Sequence, residues 1–526
     1  MSRYSDDLEK SFKVLTSDEM KEIDRITIHE LGIQGAVLME NAGVGCVEEL
    51  EKYARRSAGC GRRVEIFCGI GNNGGDGFVI GRHLANRGWN ISLYLLGKKK
   101  QLKGDALLNA NAFLNFGNKI ISISGDNFAD YDIGECDLIV DAIFGNGIRG
   151  AIRGLALKVI ERINDLNIPV LSVDFPSGLP TDNTLLEGVA INASITCTMG
   201  LPKISQLLYP TKKHVGELVV LDIGFPATLL ESEDLKVQMI TKQIVQRNFP
   251  EREEDVHKGN CGSVGVIAGA RGMTGAAALS CHSSFLTGAG YVKLACPSGI
   301  NDVMEKKLTE TITYPMQETD EISLSLKACD RILDMVGEVD AVTIGPGLSR
   351  VPETQKLVIK LIENIESPMV MDADGLFALQ GNVSILGKKK NEIVLTPHIG
   401  EMVHLSGRKK EEIIADPVGT AREFAIRYKV CLVLKSASTV IASSDGRVAI
   451  NTTGNDGMAT AGSGDVLSGV ISTLLAQGVK AFEAAYIGVW LHGMAGDLAN
   501  IKYGKRALLA SDIMGFVPDA IRKIVL

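Results

Sequence analysis

The feature that most limits what this chain can fold into is an alternation that runs twice. Short apolar runs are spaced by amphipathic stretches: 64–68 (V-E-I-F-C), 91–96 (I-S-L-Y-L-L), 138–143 (L-I-V-D-A-I), 169–174 (P-V-L-S-V-D) and 217–222. Runs of this length bounded by turn residues read as buried strands, and the pieces between, such as 104–116 and 155–166, read as helices. Buried strands alternating with helices imply a mostly parallel sheet covered on both faces. The rhythm breaks at 229–258, which holds E-S-E-D and E-R-E-E-D with little strand pattern. It then restarts, with strands expected at 263–268, 291–296, 340–344, 368–372, 393–395 and 430–434, and a helical region over 465–526. Two α/β domains are expected, 1–228 and 229–526. Ahead of the first strand, Ser17 is placed to cap a helix over 17–31 that Gly32 stops, and a second helix is expected over 35–54.

Composition narrows the function classes. The 526 residues carry a net charge of −8, which argues against a nucleic-acid binder that relies on a positive field. No apolar run is long enough to span a membrane, and the N-terminus is too charged for a signal peptide. The ten cysteines form no C-x-x-C and no metal-type spacing, so they read as reduced core thiols of a cytoplasmic protein. Glycine is the unusual component, 57 residues against a usual share of about 7%. The excess collects in loops that follow strands.

In the first half, 69–77 read G-I-G-N-N-G-G-D-G directly after a strand, with a helix expected from Phe78. Strand, glycine-rich turn and helix is a geometry in which backbone N–H groups meet a phosphate, and the alternative is a tight turn only. Asn72, Asn73 and Asp76 add oxygens that suit a cation or a polar ligand. Asp141 and Asp174 each end a strand, and both precede glycine-containing loops. An acid at a strand end is often a turn former, but three polar loops at strand carboxyl ends favour a site. Hard oxygen ligands there suit an alkali or alkaline-earth cation rather than zinc.

In the second half there is no G-x-x-x-x-G-K-[ST], which argues against P-loop nucleotide handling. Residues 454–466 read G-N-D-G-M-A-T-A-G-S-G-D-V before a helical run. Gly462, Ser463 and Gly464 would form an anion hole at the helix start, and Asp465 beside it could take a proton from an attacking hydroxyl. The alternative is a capping turn with Asp465 in the first helical turn. Lys435 ends the strand V-C-L-V-L-K, where it either reaches a phosphate or is an ordinary exposed lysine. T-P-H-I-G-E-M (396–402) offers His398 and Glu401 to a polar pocket, although a lone histidine is more often structural. G-P-G-L (345–348) lets a ligand approach the backbone at Gly347, and Gly275 and Ala276 would begin a helix near a flat ligand.

Together these motifs resemble the bifunctional NAD(P)H-hydrate repair enzyme family over nearly the whole chain. L-G-I-Q-G-A-V-L-M-E-N-A-G (31–43) and G-N-N-G-G-D-G (71–77) are similar to its epimerase domain. H-K-G-N-C-G (257–262), G-P-G-L, T-P-H-I-G-E-M and G-N-D-G-M-A-T-A-G-S-G-D are similar to its dehydratase domain. Ile399 stands where the family usually has Pro. The resemblance implies a Rossmann-like doubly wound N-terminal domain and a ribokinase-like C-terminal one, an isomerase and a lyase in one chain. It implies interconversion of the R and S hydrates of NADH and NADPH, and ADP-dependent dehydration of the S form with release of AMP and phosphate.

Carried over by motif, Asn72, Asn73, Gly74, Gly75 and Asp76, then Gly145, Asn146, Gly147, Ile148, Arg149, Gly150 and Ala151, and the catalytic Asp174, would hold the hydrate in the epimerase. Asn73, Asp141 and Ser177 would bind K⁺. In the dehydratase, Ala276, Gly347, His398, Ile399, Gly400, Glu401, Met402, Val403 and His404 would face the hydrate, with Asp465 catalytic. Lys435, Ser436, Ala437, Ser438 and Thr439, and Asn455, Asp456, Gly457, Met458, Ala459, Thr460, Ala461, Gly462, Ser463 and Gly464, would hold ADP with Mg²⁺ on its phosphates. A homo-oligomer without nucleic-acid or membrane partners is expected. The competing expectation is a ribokinase-like kinase for a sugar or vitamin precursor, which accounts for G-S-G-D but not for the first half.

Overall fold

A computed structural model describes residues 13–57, 60–125, 127–147, 150–252 and 255–525. It forms two compact units, the first ending at Leu235 and the second starting at Lys236. The expected boundary was seven residues earlier, ahead of a charged stretch that in the structure opens the second unit's sheet.

Seven strands form the first unit's sheet: β1 (Arg63–Cys68), β2 (Asn90–Leu96), β3 (Ile120–Ile123), β4 (Leu138–Ala142), β5 (Val170–Val173), β6 (Ile195–Met199) and β7 (Glu217–Leu221). All are parallel, in the order β3-β2-β1-β4-β5-β6-β7. The order reverses between β1 and β4, and ligands bind at such a switch point in open α/β sheets. Five helices matter to the site: α1 (Ser17–Arg25), α2 (Gly35–Arg56), α3 (Asn72–Asn86), α4 (Gly104–Asn115) and α5 (Gly154–Asp165).

Two expectations are corrected here. The cap of α1 is Thr16, not Ser17: its hydroxyl accepts from the Glu19 N–H at 3.2 Å while the Glu19 carboxylate takes the Thr16 N–H at 2.7 Å. Helix α3 starts at Asn72 rather than Phe78, so N-N-G-G-D-G is its first turn and not a turn before it. The glycines there serve close packing. A Cβ on Gly74 would lie 1.9 Å from the Gly69 carbonyl oxygen, and one on Gly77 would lie 2.5 Å from Cys68 Sγ.

The second sheet has ten strands: β8 (Val237–Met239), β9 (Ser263–Ile267), β10 (Tyr291–Pro297), β11 (Ile312–Met316), β12 (Ala341–Ile344), β13 (Met369–Met371), β14 (Ile393–Leu395), β15 (Cys431–Leu434), β16 (Val440–Ala442) and β17 (Val448–Ile450). Their order is β11-β10-β9-β12-β13-β14-β15-β16-β17-β8, with β16 antiparallel to both neighbours. Here the reversal falls between β9 and β12. Helices α6 (Thr274–Leu286), α7 (Ile399–Ser406), α8 (Ser463–Ala476) and α9 (Ala481–Tyr503) carry or support the second site. From Val466 to Leu475, α8 is buried all round, as a central helix requires. Gly469 lets it approach α6, since a Cβ there would lie 2.1 Å from Ser283 Oγ.

Among the described residues no helix is long and apolar enough to cross a membrane. All ten cysteines are free, and only Cys60 is not buried.

Candidate active sites

The first site gathers at the carboxyl ends of β1, β4, β5 and β6. Asp141 in β4 is fully buried and accepts four hydrogen bonds: Ser177 Oγ at 2.5 Å, Ser177 N–H at 2.8 Å, Ser172 Oγ at 2.8 Å and Ile143 N–H at 3.3 Å. Burial pushes its carboxyl above the ordinary range, and these donors hold part of the rise back. Ser177 Oγ also accepts from the Phe144 N–H at 2.9 Å. The next residue, Gly145, lies against Asn73: a Cβ on it would be 3.1 Å from Asn73 Oδ1. Asn73 is buried, and its Nδ2 has no partner among the described residues. Asp141, Ser177 and Asn73 are thus brought together through one loop.

Asp174 follows β5 in a left-handed conformation, φ 61°, rare for a residue with a side chain. Its carboxylate takes the Lys203 ammonium at 2.8 Å, Thr198 Oγ1 and the Met199 N–H at 3.3 Å each, and the Asn146 N–H at 3.3 Å. Lys203 is wholly buried, and it also donates to Thr198 Oγ1 at 2.8 Å and Met199 O at 3.0 Å. The sequence reading missed it; L-P-K at the end of the β6 segment was its only signal. Asn146 Oδ1 in turn accepts from Ser17 Oγ at 3.0 Å and Thr181 Oγ1 at 2.9 Å. Beside this network a groove of about 300 Å³ opens, lined among others by Ser17, Gly147, Gly150, Thr181 and Asp182. Ile148 and Arg149 lie outside the described residues.

The second site forms around a buried pair. Asp372, directly after β13, accepts from Lys435 Nζ at 2.7 Å, Thr396 Oγ1 at 2.8 Å and Ser468 Oγ at 2.8 Å. Burial would raise Asp372, but the Lys435 charge and these donors outweigh it and leave its carboxyl below the usual value. Burial would likewise lower Lys435, and Asp372 and Glu401 reverse that. The pair sits against the start of α8: a Cβ on Gly464 would lie 3.1 Å from Lys435 Nζ and 3.3 Å from Asp372 Oδ2. Gly462, with φ 90°, caps the helix, and Ser463, Gly464 and Asp465 form its first turn. The free N–H groups, the positive end of the helix and the ammonium converge on one spot suited to an anion. Burial, helped by the negative charge of Asp372, pushes Asp465 up to about 7. Behind this turn, His492 Nε2 lies 3.2 Å from Ser463 Oγ, and burial drops the imidazole to about 4, which keeps it neutral. Asp372 and His492 carried no assigned role in the sequence reading, because their partners are far away in the chain.

The surrounding loops are placed by specific bonds. His398 caps α7 reciprocally with Glu401: the His398 N–H donates to Glu401 Oε2 at 2.8 Å and the Glu401 N–H to His398 Nδ1 at 3.0 Å. Ile399 is the first residue of α7, a position where Pro is equally at home, so Ile in its place leaves the loop intact. The Lys435 N–H donates to Pro397 O at 2.8 Å, which ties this loop to the end of β15. Met402 is buried, whereas His404 is exposed. Gly347 and Ala276 face each other, with a Cβ on Gly347 falling 3.2 Å from that of Ala276. Ser436 Oγ donates to Ser438 O at 2.7 Å, within the segment ending at Thr439. Segment 454–458 is pinned by Asp497 of α9, which accepts from the Gly454 N–H and from Asn455 Nδ2, both at 2.9 Å.

Family models match both halves: NAD(P)H-hydrate dehydratase over residues 264–518, and the YjeF-related protein N-terminus over residues 35–205. The bifunctional NAD(P)H-hydrate repair enzyme of Moorella thermoacetica is 41% identical over 514 residues, covering 97% of each chain. That of Thermofilum pendens is 38% identical over 515 residues, again covering 97% of each. The chain belongs to the bifunctional NAD(P)H-hydrate repair enzyme family. Its first unit is the Rossmann-like epimerase half and its second the ribokinase-like dehydratase half. Among solved structures, the ADP/ATP-dependent NAD(P)H-hydrate dehydratase of Bacillus subtilis, co-crystallised with ATP and Mg²⁺, is 26% identical. It covers 54% of this chain and 98% of its own, at a TM-score of 0.46. Each of the two units of the chain holds one of the two polar clusters.

Proposed function

We propose that the first unit interconverts the R and S hydrates of NADH and NADPH, and that the second dehydrates the S hydrate at the expense of ADP, releasing AMP and phosphate. The observation that carries the second half is the placement of Asp465. A carboxylate near neutrality stands in the first turn of α8, beside the helix-end N–H groups and the Lys435–Asp372 pair. Asp465 takes the proton of the ring hydroxyl as the hydroxyl oxygen attacks the terminal phosphorus of ADP. The N–H groups of the helix start and the Lys435 ammonium stabilise the charge on the phosphoryl group in transit. The phosphorylated hydroxyl then leaves as phosphate while the ring gives up a proton, and the double bond of the dihydronicotinamide is restored. Mg²⁺ carried on the nucleotide phosphates would add neutralising charge. Residues 435–439 and 455–464 would hold the nucleotide.

In the first unit, the residues fit a K⁺ ion. Asn73 brings the carbonyl oxygen of a buried amide, and Asp141 and Ser177 bring hard oxygens already in contact. K⁺ bound there would contribute a fixed positive charge beside the hydrate. Residues 72–76, 145–151 and Asp174 would line the hydrate.

The test is the full chain with mixed hydrates and ADP, following dihydronicotinamide absorbance and the R to S ratio. Asp465→Asn should abolish recovery and spare the exchange. Normal ADP-dependent recovery by that variant would overturn the assignment. Accumulation of a stable phosphorylated product by the parent chain would favour a kinase instead.

A further inference from the structure

Asp174 is the acid to which the resemblance assigns catalysis in the epimerase, yet its carboxylate is fully engaged by Lys203, Thr198 and the N–H groups of Met199 and Asn146. Two other carboxylates of the first unit are not. Asp24 on α1 and Asp76 on α3 are both half-buried. Neither side chain has a hydrogen-bond partner among the described residues, although burying a carboxyl without one is costly.

Their positions converge. Asp24 lies seven residues after Ser17 on α1, two turns on and on the same face. Ser17 lines the groove and bonds Asn146, whose N–H reaches Asp174, and Leu15 just before α1 pairs with Lys203. That face of α1 therefore runs along the Asp174–Lys203 pair. Asp76 lies one turn after Asn73 on α3 and comes to the cluster from a different element.

We propose that Asp76 is the acid and Asp24 the base of the epimerase, with the Asp174–Lys203 pair as a fixed polar group beside them. This rests on the assignment of hydrate exchange to the first unit. Protonated Asp76 gives its proton to the ring hydroxyl, and the carbon–oxygen bond breaks as the ring nitrogen's electron pair forms a C=N⁺ bond. The hydroxyl departs as water. A water then adds to the other face of the same carbon, and its proton passes to Asp24. One carbon–oxygen bond is broken and one is made, one water leaves and one enters, and nothing is oxidised or reduced. The proton lost by Asp76 and gained by Asp24 is returned through solvent.

The electrostatics agree. Burial brings Asp24 up to about 6, with Lys203 and Asp174 acting in opposite senses on it. Burial, reinforced by the charges of Asp174 and Asp24, pushes Asp76 well above the carboxylate range. Asp76 is thereby held toward its protonated form, while Asp24 is mostly ionised at neutral pH, the states that an acid and a base require.

The experiment uses the full chain without ADP, so that dehydration is silent. R to S exchange is followed on resolved hydrates and hydrate affinity by calorimetry. Asp24→Asn should slow exchange by about 100-fold or more, the usual worth of a positioned base, with affinity kept within about threefold. Asp24→Glu should recover part of the rate. Exchange by Asp24→Asn within about threefold of the parent chain would overturn the proposal. So would a loss of exchange that merely tracks a loss of binding. A parent chain that binds the hydrate but does not exchange it would instead remove the function on which the proposal rests.

Discussion

Lys435 and Asp372, 63 residues apart, meet at 2.7 Å where the end of β15 passes the start of α8. The carboxylate is almost completely shut off from solvent and the ammonium only partly so. Their pairing fixes a positive charge at the mouth of a helix that is itself positive there, an arrangement stable only because Asp372 lies behind it.

Removing the ammonium should therefore cost both stability and activity. Lys435→Met leaves a buried carboxylate with two hydroxyl donors, and breaking such a pair costs about 3–5 kcal/mol. Calorimetry should show the second unit's transition lowered, and dehydration should fall by about 100-fold or more. Adding Asp372→Asn should recover most of the melting temperature but none of the activity.

The dehydratase should depend on pH in a defined sense. Asp465 works as a base and must be ionised, and burial followed by Asp372 sets its pKa at about 7. Turnover should therefore fall as pH drops below about 7 and level off above it. Lys435 holds that pKa down, so the residual rate of Lys435→Met should show its inflection at higher pH. An unmoved inflection would separate the observed titration from Asp465.

Among the described residues the Asp497 carboxylate hydrogen-bonds to Gly454 and Asn455 of this loop, and it should act through the loop. Each of its two bonds to Gly454 and Asn455 is charge-assisted, worth about 1.5–3 kcal/mol. Asp497→Ala should raise the KM for ADP by roughly 10-fold or more, with a smaller change in turnover and unaltered R to S exchange. Steady-state kinetics at varied ADP decide it.

The glycines of the first motif should divide by packing. Gly74→Ala puts a methyl 1.9 Å from a backbone carbonyl oxygen that has little room to shift, and overpacking of this kind costs about 1–3 kcal/mol. Gly71→Ala meets nothing within 4 Å. Hydrate exchange and the first unit's melting temperature should drop in the former and stay unchanged in the latter, with dehydration intact in both.

The elements legible in sequence were those with a local period. The strands expected at 64–68, 91–96, 263–268 and 291–296 form in place, as does the helical C-terminal region. Strands β3, β6, β8, β11, β16 and β17 were missed, because most span only three to five residues and β8 lies in a charged stretch. Loops were legible through their glycines and acids, and Asp465 and Lys435 do meet at one helix start. Lys203, Asp372, His492 and Asp24 were not assigned, since each owes its place to tertiary proximity that no spacing along the chain encodes. Thr16 was passed over for Ser17, although both can cap. The reciprocal bond with Glu19 decides between neighbours, and Glu19 stands three residues after Thr16 but only two after Ser17.

The close fit of α3 on its strand also bears on how this half can change over generations. Gly74 and Gly77 are held by shape, against the Gly69 carbonyl and the Cys68 sulfur. A mutation at either is selected against before any ligand is met. Drift in ligand preference is thereby channelled to Asn72, the exposed residue that opens the same turn. The most repetitive part of the motif is its least adaptable part, and descendants with new substrates should keep the glycines while varying the polar residue ahead of them.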